Sequence, residues 1–294
     1  MHHMLRSVTV LALWTGCTSE TTSSVQSSTS TAIDPTVAIP LHEWPKPRLE
    51  VLQQGIAPHE TLHVPLNAVV PSARVVWDST FSTTATRGAV TTTPSRVRQS
   101  RTLAIALTPG SPATFDFVVT AAQDRGTGGT PIDPAVATAL EGRQGRWTAD
   151  AHCQILSAGI DDSNAGPAAP HLPGLLRTAA EYCPILPEAP LGIGAVWRTT
   201  EARADGRTTE TEWVLSYRDE QQVALTFQTR SPDPSHTMLA EGRVGLDRHH
   251  PTPVRFDAKG RTTRTRPDPE RPGKTLDWTT VWEMHAERTI APSP

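Results

Sequence analysis

The chain has 294 residues and a mass of 31.8 kDa, enough for one large domain or two small ones with a substantial core. Hydrophobic residues make up 37%, and 27 prolines and 19 glycines interrupt the chain, which argues against long helical bundles and polytopic membrane proteins. A formal charge of −3 and a pI near 6.4 provide no overall attraction to nucleic acid or anionic membranes.

The amino terminus has the features of a short export signal. Arg6 precedes the apolar stretch 8–14, which is far shorter than the ~20 residues needed to span a bilayer. Two small residues and then Cys17 resemble the lipobox of bacterial lipoproteins, in which the cysteine is lipidated after cleavage. We therefore expect residues 1–16 to be a lipoprotein signal peptide and Cys17 to carry a membrane-anchoring lipid. The alternative is a buried N-terminal strand with an ordinary cysteine.

Residues 17–34 have the composition of a flexible tether. Between Thr18 and Thr31 the chain is almost entirely Ser and Thr, and such a segment buries too little apolar surface to become ordered. A lipid site, a polar tether and a globular domain over 35–294 form the layout of a lipoprotein in the bacterial cell envelope. Thr18 is not the aspartate of inner-membrane retention signals, so we expect the outer membrane facing the periplasm, or the cell surface.

The segment 35–71 is rich in proline and is expected to be irregular, with a short strand near 62–66 and an exposed Trp44. It contains His59, Glu60 and His63 in an H-E-x-x-H pattern. A zinc peptidase needs this pattern on a helix, but the flanking prolines favour an extended segment. We therefore predict no metal site and no catalytic residue here, and keep a zinc metallopeptidase only as a remote alternative.

Apolar and polar residues alternate along several later segments, which is typical of antiparallel strands with one face on a core and one in water. The apolar positions are Leu103, Ile105 and Leu107; Phe115, Phe117 and Val119; Trp213, Leu215 and Tyr217; Val223, Leu225 and Phe227; and Trp278 with Trp282. The predicted fold is mainly β, built from antiparallel sheets that form a sandwich or a half-barrel-like structure.

Two short helices interrupt the strands. Asp133 and Pro134 form an N-cap and a first helical residue for a helix over 135–141, which Gly142 can close. A second helix is predicted from Pro173 to about Tyr182, after a loop at 165–170.

Removing Cys17 from the three cysteines leaves Cys153 and Cys183. In an oxidising compartment these would form a disulfide worth roughly 3–4 kcal/mol. Two free buried thiols are the alternative.

A weak internal similarity suggests two related halves that meet near 140–190. Val76-Trp77 and Val196-Trp197 each open a Thr- and Arg-rich run that is followed by a turn and a Phe-bearing strand. The sequence leaves duplication and chance as alternatives.

The segment from Leu186 to Trp197, LPEAPLGIGAVW, resembles a signature of a family of bacterial lipoproteins known as DUF6263. Weaker similarity extends over roughly 50–290. The resemblance implies an exported, β-rich lipoprotein and supplies no catalytic residues or cofactors.

The expected function is that of a non-catalytic interaction or structural domain, anchored to the membrane by its lipid and contacting an envelope protein, with no cofactor and no nucleic acid. The alternative is a carrier or sensor of an apolar ligand held in a half-barrel groove.

Overall fold

The computed structural model describes residues 34, 37–127, 133–202, 207–231, 233, 236–268, 270–271 and 273–290. The protein is mainly β and antiparallel with two short α-helices, which confirms the predicted fold class. Within the described ranges no helix is both long and apolar enough to cross a membrane.

The described residues contain sixteen strands, two α-helices and one 3₁₀-helix. The strands are β1 (His42–Glu43), β2 (Arg48–Gln53), β3 (Ile56–Glu60), β4 (Ala73–Arg87), β5 (Val90–Thr91), β6 (Ser95–Thr108), β7 (Ala113–Thr127), β8 (Gln144–Ala149), β9 (Ile155–Ile160), β10 (Leu191–Ile193), β11 (Val196–Ala202), β12 (Thr208–Arg218), β13 (Gln222–Ser231), β14 (His236–Asp247), β15 (Arg255–Pro267) and β16 (Thr275–Ile290). The helices are α1 (Pro134–Leu140), the 3₁₀-helix (Gly166–His171) and α2 (Leu172–Ala180).

Fourteen strands form one antiparallel sheet in the order β1-β9-β8-β7-β6-β4-β16-β15-β14-β13-β12-β11-β2, with β5 paired to β4, while β3 and β10 pair separately. The sheet is not closed into a barrel.

The two sequence halves share this one sheet. Strands β4 to β9 lie on one side of its middle and β11 to β16 on the other, and β4 pairs with β16 from Ala73–Ile290 to Thr86–Asp277. Trp77 is therefore in a central strand and Trp197 in a strand near the edge.

Residues 42–53 connect the two edges of the sheet, and we call them the N-terminal strap. His42 and Glu43 pair with β9 at one edge, and Arg48–Gln53 pair with β11 at the other. Five residues of extended chain reach at most about 18 Å, so the two edges must lie close together. Trp44 continues the contact with β9 by donating its backbone N–H to Leu156.

One face of the sheet carries the hydrophobic core, which the helices and the segments between β3 and β4 and between α2 and β11 cover. The first helix begins as predicted, because the Asp133 carboxylate accepts the N–H of Ala135 at 2.9 Å. The large side chains of this core that are essentially inaccessible are Trp197, Phe117, Leu103, Leu140, Leu175, Leu191, Leu215 and Leu225.

The segment that resembles the lipoprotein signature is part of this core. Leu186, Leu191 and Ala195 are buried. The indole N–H of Trp197 donates to the Ile185 carbonyl at 3.0 Å. Gly194 has a φ of 82°, which glycine adopts at little cost, so this segment combines buried apolar side chains with a glycine turn.

A buried ion pair lies on the core face. Arg101 of β6 and Asp124 of β7 approach to 2.7 Å with both side chains almost fully enclosed. Arg101 also donates to the carbonyls of Ser100 and Gln123. Replacing either residue alone would leave one buried charge uncompensated, which strongly lowers the stability of the fold.

Four local expectations are wrong. Residues 62–66 do not form a strand, because Pro65 lacks an N–H for a ladder, and short strands occur instead at β1, β2 and β3. The predicted loop at 165–170 lies mostly in the 3₁₀-helix. Trp44 is half-buried against the core and the Arg177 guanidinium. Tyr217 leaves the face of Leu215 through a register shift between them and is 50% exposed.

Candidate functional site

The predicted lipid attachment site cannot be placed, because Cys17 and all but the last residue of the tether lie outside the described residues.

The other two cysteines are bonded to each other. Cys153 and Cys183 form a disulfide with a Cα–Cα distance of 5.9 Å, as the cysteine count predicts. The bond joins the loop after β8 to the end of α2.

The H-E-x-x-H residues lie in extended chain, as their flanking prolines predict. His59 and Glu60 belong to β3, and the His59 and His63 side chains are exposed. Glu60 forms ion pairs with Arg248 and, at 3.7 Å, with Arg218. A zinc peptidase needs this glutamate beside a metal-bound water, so these contacts give no support to that arrangement. Among the described residues no three His, Cys, Asp or Glu side chains are grouped as metal ligands.

The most extensive candidate site lies on the polar face of the sheet, opposite the core. Two adjoining hollows of about 670 and 750 Å³ lie across the middle of β12 to β16, and the second extends to β4 and β6. Both include Glu212, Gln228, Glu241, Lys259 and Glu283 in their walls, so they form one depression, which we call the charged groove. The volume of each hollow is within the range of ligand-binding sites.

Strand register arranges the groove in rows that run across the strands. One row contains Arg198, Glu212, Gln228, Glu241, Lys259, Glu283, Thr80 and Arg98 in adjacent strands. The next contains Glu210, Arg230, Leu239, Arg261 and Val281. The third contains Val214, Thr226, Arg243, Asp257, His285 and Asp78. Together the walls carry six basic and six acidic side chains.

Half of these charges are used within the groove. Ion pairs join Glu241 to Lys259 at 3.0 Å, Glu210 to Arg230 at 2.8 Å and Glu212 to Arg198 at 3.5 Å. Exposed pairs of this kind contribute roughly 0–1 kcal/mol each, so a partner can exchange them at little cost.

Five of the remaining six charges are available, while Asp257 is bound to Arg255 and His285. Within the described part of the chain, no ion pair involves Arg98, Arg243, Arg261, Asp78 or Glu283. Arg261 lies between two exposed apolar side chains, Leu239 and Val281, which are 66% and 50% accessible. Apolar side chains beside arginine are typical of the contact centres of protein interfaces.

An aspartate–histidine pair lies on the third row. The Asp257 carboxylate accepts from His285 Nδ1 at 2.7 Å and from Arg255 at 2.6 Å. Burial alone would raise the pKa of Asp257, but its hydrogen bonds to Arg255 and His285 lower it overall. An imidazole held in this way resembles the base of a catalytic triad, but no described Ser, Thr or Cys side chain is hydrogen-bonded to it.

The core face offers less space for a ligand. The crevice beside the disulfide, between Trp147, Tyr182 and Pro253, has a volume of about 20 Å³, which is room for about one water molecule. A separate cleft of about 340 Å³ lies at the rim between Glu60, His63 and His249. The crevice has no room for an acyl chain, which disfavours the carrier alternative at that position.

Sequence reasoning did not identify the charged groove. Its residues occupy the polar positions of the alternating segments, and such positions indicate only a solvated face. Their grouping depends on the register of five or more strands. No family model matches the chain, and a search of curated proteins finds no significantly similar sequence. The resemblance to the lipoprotein signature therefore stays a prediction.

Proposed function

We propose that the protein is an exported, lipid-anchored lipoprotein of the bacterial envelope, whose β-domain binds an envelope protein and catalyses no reaction. The lipobox-like residues before Cys17 and the Ser/Thr tether support the anchor. The Cys153–Cys183 disulfide supports export, because disulfides persist in oxidising compartments. An outer membrane facing the periplasm, or the cell surface, agrees with these features.

The charged groove is the observation that carries the proposed binding function. It is open and lies on a sheet whose other face is packed, so the backbone that carries its side chains is in place before a partner arrives. Its mixture of free arginines, free carboxylates and two apolar side chains suits a protein surface of mixed charge.

Other classes of partner fit the groove less well. Nucleic acid requires a predominantly basic surface, whereas the groove carries six charges of each sign. The apolar side chains and the carboxylates together therefore favour a polypeptide.

Site-specific photo-crosslinking in cells tests the groove. A photoreactive residue at Leu239 should form an adduct with another envelope protein, and the double variant Arg243→Glu/Arg261→Glu should abolish it. A photoreactive residue at Val90, which is exposed outside the groove, and the distant Arg271→Glu serve as matched controls. An adduct that survives the double charge reversal, or that forms equally at Val90, would contradict the assignment.

Membrane fractionation tests the anchor separately. Cys17→Ser removes the thiol that would accept the lipid, so the protein should move from the membrane to the soluble fraction. Globomycin should cause the uncleaved precursor to accumulate. If the variant fractionates with membranes as the parent does, Cys17 is not the anchor.

A further inference from the structure

His250 lies in the turn between β14 and β15 and is only 6% exposed. Its Nδ1 is 3.2 Å from the backbone N of Thr252 and 2.9 Å from the Thr252 hydroxyl. Its Nε2 is 3.2 Å from the Pro71 carbonyl. A backbone N–H can only donate, so Nδ1 accepts and the single ring proton is on Nε2, which donates to Pro71. Only the neutral imidazole satisfies both contacts.

The charged surroundings oppose protonation of this ring. Burial lowers the pKa of His250, and the nearby Arg288 lowers it further, although Pro71 and Asp247 act in the opposite sense. Arg288 is itself held in place by hydrogen bonds to the Thr252 carbonyl at 2.7 Å and to Asp247 at 2.6 Å. A proton on Nδ1 would therefore face the N–H of Thr252, which is also a donor and cannot accept it. It would also place a second positive charge near Arg288.

Neighbouring elements contribute few other titratable groups. Arg248 and the exposed His249 lie in the same turn, and His63 is the titratable side chain of the segment 61–71. Tyr182, at the end of α2, donates to the Pro253 carbonyl at 3.0 Å, and burial raises its pKa. Tyr182 therefore stays neutral under the conditions in which His250 titrates.

The contact between His250 and Pro71 joins two segments that are far apart in sequence. Pro71 ends the segment 61–71, which packs on the core through Leu62, Val64 and Leu66. On the other side, residues 251–253 are buried and line the crevice beside the disulfide. The protonated ring keeps its Nε2–H, so the contact that it loses in place is the one between Nδ1 and the Thr252 N–H. A charged ring that leaves this buried site for water gives up its contacts to both Pro71 and Thr252, while the ladders of the sheet stay paired.

We propose that His250 and Pro71 form a pH-sensitive latch: protonation of His250 in mildly acidic solution releases the turn 248–254 from the segment 61–71. Once released, the imidazole has the ordinary pKa of about 6.5 and binds a proton more readily than in the latched state. Opening therefore becomes more favourable as the pH falls, by about tenfold per unit below 6.5 and at most about thirtyfold at pH 5.

Hydrogen exchange of the full chain, measured at pH 7.5 and 5.0 and corrected for intrinsic rates, tests the latch. Protection in 61–71 and 248–254 should fall by about ten- to thirtyfold at pH 5, while protection of the β4–β16 ladder stays unchanged. His250→Gln cannot be protonated and should lose this pH dependence. His249→Gln, the exposed neighbour, should behave as the parent protein does. An unchanged parent, or an equal fall in His250→Gln, would overturn the proposal.

A second measurement needs no variant. The imidazole ¹⁵N shifts of the parent protein should show His250 as the Nε2–H tautomer, with a titration midpoint below the ordinary histidine value of about 6.5. A midpoint at or above that value would overturn the latch even if His250→Gln failed to fold.

Discussion

At the scale of single residues, the core face depends on glycines that make room for aromatic rings. Added Cβ atoms at Gly145, Gly242 and Gly260 would lie 2.1–2.6 Å from the rings of Phe117, Phe227 and Trp282. Real Cβ atoms do not approach other atoms so closely. Glycine is therefore required at each of these positions by the space that a neighbouring ring occupies, and not by an unusual backbone conformation.

We expect Gly242→Ala to lower the free energy of unfolding by about 1–3 kcal/mol, as overpacking does. Its Cβ would lie 2.2 Å from the Asp257 carbonyl oxygen, which the β14–β15 ladder holds in place. Gly245→Ala on the same strand is the matched control, because its nearest neighbours are 4.0 Å away. Urea denaturation measures both variants, and equal losses would show that strand propensity, not crowding, governs the site.

At the scale of elements, the alternation of apolar and polar residues predicted most strands, and the capping residues predicted the start of α1. Neither pattern predicted the register shift in β12 or the 3₁₀-helix. The alternation at 103–107, 115–119 and 223–227 lies in β6, β7 and β13. The register shift before Tyr217 is a property of the β12–β13 pair, and no pattern within β12 reveals it. The 3₁₀-helix was missed because its glycine and two prolines are typical of a loop.

The disulfide belongs to this scale, because it ties the end of α2 to the loop after β8. We expect Cys153→Ser/Cys183→Ser to lose about 3–4 kcal/mol of stability, since the bond closes a loop of about 30 residues in the unfolded chain. Reduction of the parent protein is the control and should lower the urea midpoint to a similar extent. Free thiols at both positions in freshly isolated protein would contradict the pairing.

At the scale of the whole molecule, the sequence predicts the fold class but not the candidate site. The charged groove requires Glu283 to lie beside Lys259, and Lys259 beside Glu241, and these neighbours come from three different strands. A shift of one residue in either pairing would turn the charged side chains of the shifted strand to the core face. A single sequence does not reveal which residues of distant strands lie opposite each other, and the candidate site could not be predicted without that information.

The titratable groups together predict how global stability depends on pH. Burial lowers the pKa of His171 and His250, so the unfolded chain binds these protons first and stability falls as the pH drops below about 6.5. The Tyr217 hydroxyl and the N–H groups of Gln221 and Gln222 lower the pKa of Asp219, and the pKa of Asp247 is also lowered overall. Their contributions are present above about pH 4 and are lost below it.

Urea midpoints between pH 8 and 3 should therefore show a plateau above pH 7, a first decline below 6.5 and a second below 4. His250→Gln should reduce the first decline and leave the second unchanged. A midpoint that rises between pH 7 and 5 would contradict the prediction.

The N-terminal strap determines when folding can be completed. The strap is made early in synthesis, yet its partners in β9 and β11 lie more than a hundred residues further along the chain. The central pair, β4 with β16, likewise waits for the last strand. Pairings of such long sequence separation form slowly. The edges and the middle of the sheet can therefore form only after nearly all of these strands are available. Under the proposed export, the chain would cross the membrane before it folds.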